Sequence, residues 1–179
     1  MDVFDEFKCN CCVCPMQCVL EQLVGVGDVN IITPTANNSV IINQVKDFIA
    51  FTSNGNIPIC QITATQFSQN LVPDGIKLKP IKKSKGECAC CENPITNLAN
   101  SMIGEMVEIE FISPFPFPFV DKIIDVGKGI VVGRFFNDID IFSSCAITRI
   151  IQQTQQQIND PPLFSNFQQL KKGTPPPAN

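Results

Sequence analysis

The chain has 179 residues, 44% of them hydrophobic and 17% charged, with a net charge of −4 and a pI near 4.8. That apolar content is enough to fold one or two domains and excludes wholesale disorder. The acidic balance argues against a nucleic-acid binder, no apolar run reaches membrane-spanning length, and a chain without His lacks the commonest general base.

Residues 1–15 form a Cys-rich arm, MDVFDEFKCNCCVCP, with Phe4 and Phe7 ahead of Cys9, Cys11, Cys12 and Cys14. It is acidic and has no apolar leader segment, so synthesis in a cytoplasm is expected. Cys18 follows at once. Apolar residues at 16, 19, 20, 23 and 24 have helical spacing, Pro15 suits a first turn, and Gly25 suits a helix stop. Short strands are predicted over 28–33, 39–45, 47–52, 56–60 and 61–64, with Asn54-Gly55 as a hairpin turn. These elements make a first module over 16–64.

A linker over 65–94 carries Lys77, Lys79, Lys82, Lys83 and Lys85, and ends in a second cluster, Cys88, Cys90 and Cys91. It reads as a solvated tether. From there the chain repeats itself. CNCCVCPMQCVLEQLVG (9–25) aligns without a gap on CACCENPITNLANSMIG (88–104). NIITP, VKDFIAF and NIPICQIT then match EFISP, VGKGIVV and DIDIFSSCAIT in order. The second module, 95–151, has a helix from Pro94 to Gly104 and strands near 106–113, 119–126, 129–135, 138–142 and 145–150. GKGIVVG (127–133) reads as a hairpin, since a strand-like run rather than a helix follows it. Cys60 and Cys145 hold matching places and are expected to pack as small core residues. The tail, 152–179, is rich in Gln and Pro and reads as polar and extended.

The fold class expected is therefore mainly β: two tandem small five-stranded barrels, each preceded by a short helix and a Cys cluster. The segments LANSMIGEMVEIEF, KIIDVGKGIVVG and SSCAITRI resemble the Sm-like or SH3-like small barrels found in spore coats of spore-forming bacteria. The Arg-Gly signature of RNA-binding Sm proteins is absent, so RNA binding is not implied. The run FKCNCCVC is similar to the N-terminal connector of endospore appendage subunits, whose arm forms disulfides with neighbouring subunits. That likeness carries cross-linking logic only, because the appendage subunit's fold is a jelly roll.

Three chemistries compete for the clustered thiols. Cys9, Cys12, Cys88 and Cys91 have zinc-knuckle spacing and define an alternative, a zinc-binding adaptor. Against it, the adjacent pairs Cys11-Cys12 and Cys90-Cys91 are poor tetrahedral chelators. A thioredoxin-like redox centre needs a strand before its helix, which the first cluster lacks. Cross-linking is the expectation, through Cys9, Cys11, Cys12, Cys14, Cys18, Cys88, Cys90 and Cys91, with no cofactor. The run SPFPFPFV places Phe115, Phe117 and Phe119 on one side, as core cover or an assembly surface. The function expected is a non-enzymatic structural subunit of a spore-surface layer or fibre. Its partners would be further copies and other spore-surface proteins, with no nucleic acid and no membrane.

Overall fold

A computed structural model describes residues 13–82 and 87–153, apart from the side chains of 87, 88 and 91. The first half runs α1 (Val13–Gln22), β1 (Val29–Ile32), β2 (Asn37–Val40), β3 (Ile42–Lys46), β4 (Ile49–Thr52), β5 (Gly55–Pro58), a 3-10 turn at Ile59–Gln61, and β6 (Ala64–Ser68). The second runs α2 (Glu87–Ser101), β7 (Met106–Phe111), β8 (Phe119–Gly127), β9 (Ile130–Phe135), β10 (Asp138–Ser143), a 3-10 turn at Ser144–Ala146, and β11 (Ile147–Gln152). The fold is mainly β, as the strand spacing predicts. The strands form one eight-stranded sheet, β11-β7-β8-β9-β10-β6-β1-β2, and one three-stranded sheet, β3-β4-β5. No closed ring of paired strands forms among the described residues.

The repeat read from the sequence has a backbone counterpart. After α1, the Gly25 amide donates to the Ile42 carbonyl at 2.9 Å; after α2, the Gly104 amide donates to Ile123 at 2.8 Å. Both glycines have positive φ, which a residue with a Cβ adopts only at a cost. Each therefore ends its helix and aims the chain into the same strand neighbour. In each half the last strand returns to the first, β6 on β1 and β11 on β7. The hairpin at Asn54-Gly55 forms as expected, with Thr52 opposite Gly55. GKGIVVG likewise forms the β8–β9 hairpin.

The halves differ from the sequence reading in three places. Helix α2 starts at Glu87, so Pro94 lies inside it rather than in its first turn. An interior Pro removes a helical hydrogen bond. Packing explains why the helix continues: Glu92 before it and Thr96 after it are both 3% exposed. The linker was expected from residue 65, yet β6 runs to Ser68 because both of its edges are occupied, by β1 and β10. Nor are residues 77–79 a free tether. The Lys77 amide donates to Gln22 Oε1 at 2.9 Å, and Gln22 Nε2 donates to the Lys77 carbonyl at 3.1 Å. The Lys128 amide donates to the Lys79 carbonyl at 3.0 Å. Leu78 lies so close to Gly127 that a Cβ there would fall 2.6 Å from its own Cβ.

Two hydrophobic clusters follow the modules. One gathers Met16, Leu20, Leu23, Ile31, Ile42 and Ile59, and reaches across to Ile139 and Ile141. The other gathers Val107, Ile109, Phe119, Ile123 and Phe142, and takes in Ile32 and Ala64. Each core thus borrows side chains from the other half. The route is the β6·β10 pair, antiparallel from Asp138 opposite Ser68 to Phe142 opposite Ala64. Alternate residues of these two strands face opposite cores.

A polar row crosses this junction. Asn30 Nδ2 donates to Gln66 Oε1 at 3.4 Å, and Gln66 Nε2 donates to Asp140 Oδ1 at 2.7 Å. Asp140 is 1% exposed, so the second bond forms where little water can replace it. Gln66→Ala should cost about 1–3 kcal/mol of unfolding free energy, because it strips a donor from a buried acceptor. Asn30→Ala should cost less, its bond being longer and partly exposed. Urea unfolding of both variants measures the difference.

Candidate functional site: surface thiols, half-cystines and a groove at the module junction

Two of the 3-10 turns hold matching cysteines. Cys60 is the middle residue of Ile59–Gln61, and Cys145 of Ser144–Ala146. Both are exposed, which corrects the expectation that they fill the core. The turn supplies the reason. Its tight winding points the middle residue outward, while Ile59 and Ile62 in one module, and Ala146 and Ile147 in the other, take the buried places.

Cys60 is a free thiol, with Gln61 Nε2 3.9 Å from its sulfur. Cys145 is disulfide-bonded. Cys60 and Cys145 line one groove of about 270 Å³, together with Ile59, Ile112 and Val13. Val13 opens α1 and lies between Cys12 and Cys14 of the first Cys cluster. The fold therefore gathers both turn cysteines and the root of the N-terminal arm around one surface groove. A surface of this kind supports thiol–disulfide exchange, in which a thiolate attacks one sulfur of a disulfide and expels the other as a thiolate.

The predicted cross-linking residues fall in several environments. Cys14 is buried on α1 at 1% exposure and is disulfide-bonded. Cys18 is half-buried on the same helix. Cys90, on the first turn of α2, is exposed and free. Cys9, Cys11 and Cys12, and the side chains of Cys88 and Cys91, lie outside the described residues. So do all four ligands of the zinc alternative. Among the described residues no group of three or more His, Cys, Asp or Glu is placed to hold a metal ion.

The phenylalanine run is mostly core cover. Phe119 is 2% exposed, with its ring edge-on to Phe111 at 5.0 Å and to Phe142 at 6.0 Å. Phe115 packs against Phe119, and Phe117 stacks on Phe115 at 5.6 Å. Phe119 is thus a core residue rather than an assembly surface, because β8 begins there and turns it inward. Among the described residues, the aromatic side chain most open to solvent is one the sequence reading did not single out. Phe136 tips the β9–β10 hairpin with φ 52° and 79% exposure. A bulky side chain at positive φ is strained, and nothing in the local sequence pattern flags it.

At the outer end of the large sheet, Arg149 on β11 holds Glu110 on β7 with both guanidinium arms, Nε donating to Oε2 at 2.9 Å and Nη2 to Oε1. Hydrogen bonding to Arg149 holds the Glu110 carboxyl below its usual range, and Glu110 in turn raises Arg149. The pair's contribution is present above the ordinary carboxylate range and is lost as pH falls through the lowered value. Both groups face solvent, so its weight in stability is small.

Comparison with family models, curated proteins and solved structures finds no match in any of the three.

In native protein without reductant, Cys60 and Cys90 should be alkylated by a maleimide, and Cys14 and Cys145 only after reduction. Peptide mapping by mass spectrometry reads the four sites separately.

Proposed function

We propose that the chain is a structural subunit of a spore-surface layer or fibre, which self-assembles and is then locked by intermolecular disulfides through its Cys clusters. The observation that carries this reading is the coexistence of two sulfur states on one scaffold. Cys14 and Cys145 are already oxidised, while Cys60 and Cys90 stand as free thiols at the surface. A chain that keeps thiols at its surface beside formed disulfides is suited to exchange between molecules. The cluster Cys9, Cys11 and Cys12 supports the reading from sequence, since neighbouring cysteines pair poorly with each other and favour separate partners. Assignment to the spore surface rests on the resemblance of the barrel and arm motifs.

In this reading each module is a small barrel of the Sm-like or SH3-like kind, left incompletely paired at its rim, with the second strand of module one broken at Ile41 into β2 and β3. Support comes from the shared order of helix, glycine, strands, 3-10 turn and returning strand. Small modules have little core with which to resist unfolding, and covalent links between chains supply kinetic resistance instead.

Non-reducing electrophoresis of oxidised protein should give a ladder of multimers that collapses to monomer with reductant. The triple change Cys9→Ser, Cys11→Ser, Cys12→Ser should shorten that ladder by at least several-fold in multimer yield. A single monomer band after oxidation, with zinc bound one to one by elemental analysis, would overturn the reading in favour of the adaptor.

A further inference from the structure

The junction inside the chain supplies a template for a junction between chains. It joins the last strand of module one, β6, to the fourth strand of module two, β10. The counterpart of β10 in module one is β5, since each pairs with the strand before it and leads into the Cys-bearing 3-10 turn. The counterpart of β6 in module two is β11. Among the described residues, β5 and β11 are each the terminal strand of a sheet, with one edge paired and the other unpaired. We infer that the outer edge of β11 on one copy pairs antiparallel with the outer edge of β5 on the next, repeating the β6·β10 junction head to tail.

The backbone directions agree. The Ile59 amide donates back to Phe48 at 2.8 Å, so along β5 the amide of Asn56 points away from β4. In module two the Ser144 amide donates back to Gly129 at 3.0 Å, and the preceding Ser143 amide points outward and reaches Thr63 at 2.9 Å. Asn56 therefore faces outward as the β10 donors do where they meet β6. The hairpin tips agree too. Asn137, at the β9–β10 tip, clasps the end of β6: its side chain donates to Ser68 Oγ at 3.0 Å, and its carbonyl accepts from the Gln69 amide at 2.8 Å. Asn54 holds the same turn position on the β4–β5 tip, two residues nearer its 3-10 turn because β5 is the shorter strand.

The match is incomplete in an informative way. Ser143, the outward donor, has Pro58 as its counterpart, and Pro has no N–H to give. The β5 edge is also short and mostly exposed, GNIP, where β10 is DIDIFS and largely buried. The external junction is accordingly weaker than the internal one and depends on covalent capture to persist. This inference rests on the self-assembly proposed above, and it names the surface. One copy carries one edge of each kind, and unlike edges joined head to tail propagate rather than close as a pair.

The test uses the full chain in excess reductant, so that only non-covalent association is read, by sedimentation velocity over a concentration series. The wild-type chain should grow beyond monomer as concentration rises. Asn56→Lys with Gln152→Lys places like charges on the two exposed edges and should abolish that growth. Asn56→Glu with Gln152→Lys should restore it. Ile103→Lys, in the exposed turn after α2 and on neither edge strand, should leave it unchanged. The inference falls if the double-lysine chain associates like wild type. It also falls if the Glu/Lys pair fails to restore association, or if the wild-type chain stays monomeric with its β11 amides protected from hydrogen exchange, which would mean that its own following residues cover the edge. In each of these cases a reductant-sensitive ladder from the same protein after oxidation would leave the cross-linking reading standing.

Discussion

The β6·β10 ladder is the interaction on which the rest of the molecule depends. It joins strands about seventy residues apart, and it turns two short antiparallel sets into one eight-stranded sheet. Because successive residues of a strand face opposite sides, the ladder places Phe67, Ile139 and Ile141 in one core while placing Ala64 and Phe142 in the other. Neither module could keep its core as described if the ladder opened. Small domains are marginal in isolation, and this chain shares burial between two of them through a single line of backbone hydrogen bonds.

Polar groups give the ladder its register. Apolar strands that meet face to face can slip, since many offsets bury similar area. Here Gln66 must meet Asp140, and Asn30 must meet Gln66, for a buried carboxyl group to keep its donor. A slip of one residue would carry Asp140 to the opposite face. The same strands therefore combine a non-specific attraction with one position that tolerates a single alignment.

Much of this organisation is legible in the sequence, because the repeat is written in punctuation as well as in apolar spacing. Gly25 and Gly104 mark the same helix stop, and Asn54-Gly55 marks a hairpin without help from distant residues. Errors arise where local signals conflict with distant packing. Pro94 carries the mark of a helix start, yet buried neighbours on both sides hold the helix through it. Cys60 and Cys145 sit in apolar runs that read as strand interior, yet a three-residue turn reverses the inward–outward parity and delivers both to the surface. The inter-module ladder has no local sign, since nothing within β6 names β10 as its partner. The groove was illegible for the same reason: its cysteines are 85 residues apart and meet only once both turns are in place.

The docked stretch around Leu78 bears on how force would pass between the two halves of the chain. Leu78 is lodged against Gly127, and the backbone on either side of it is tied to Gln22 and Lys128. Parting the two halves would have to extract this stretch first. Pulling on one end would therefore load the β6·β10 ladder and the anchored connector side by side, and the connector would act as a safety strap that stops the halves from parting when the sheet shears.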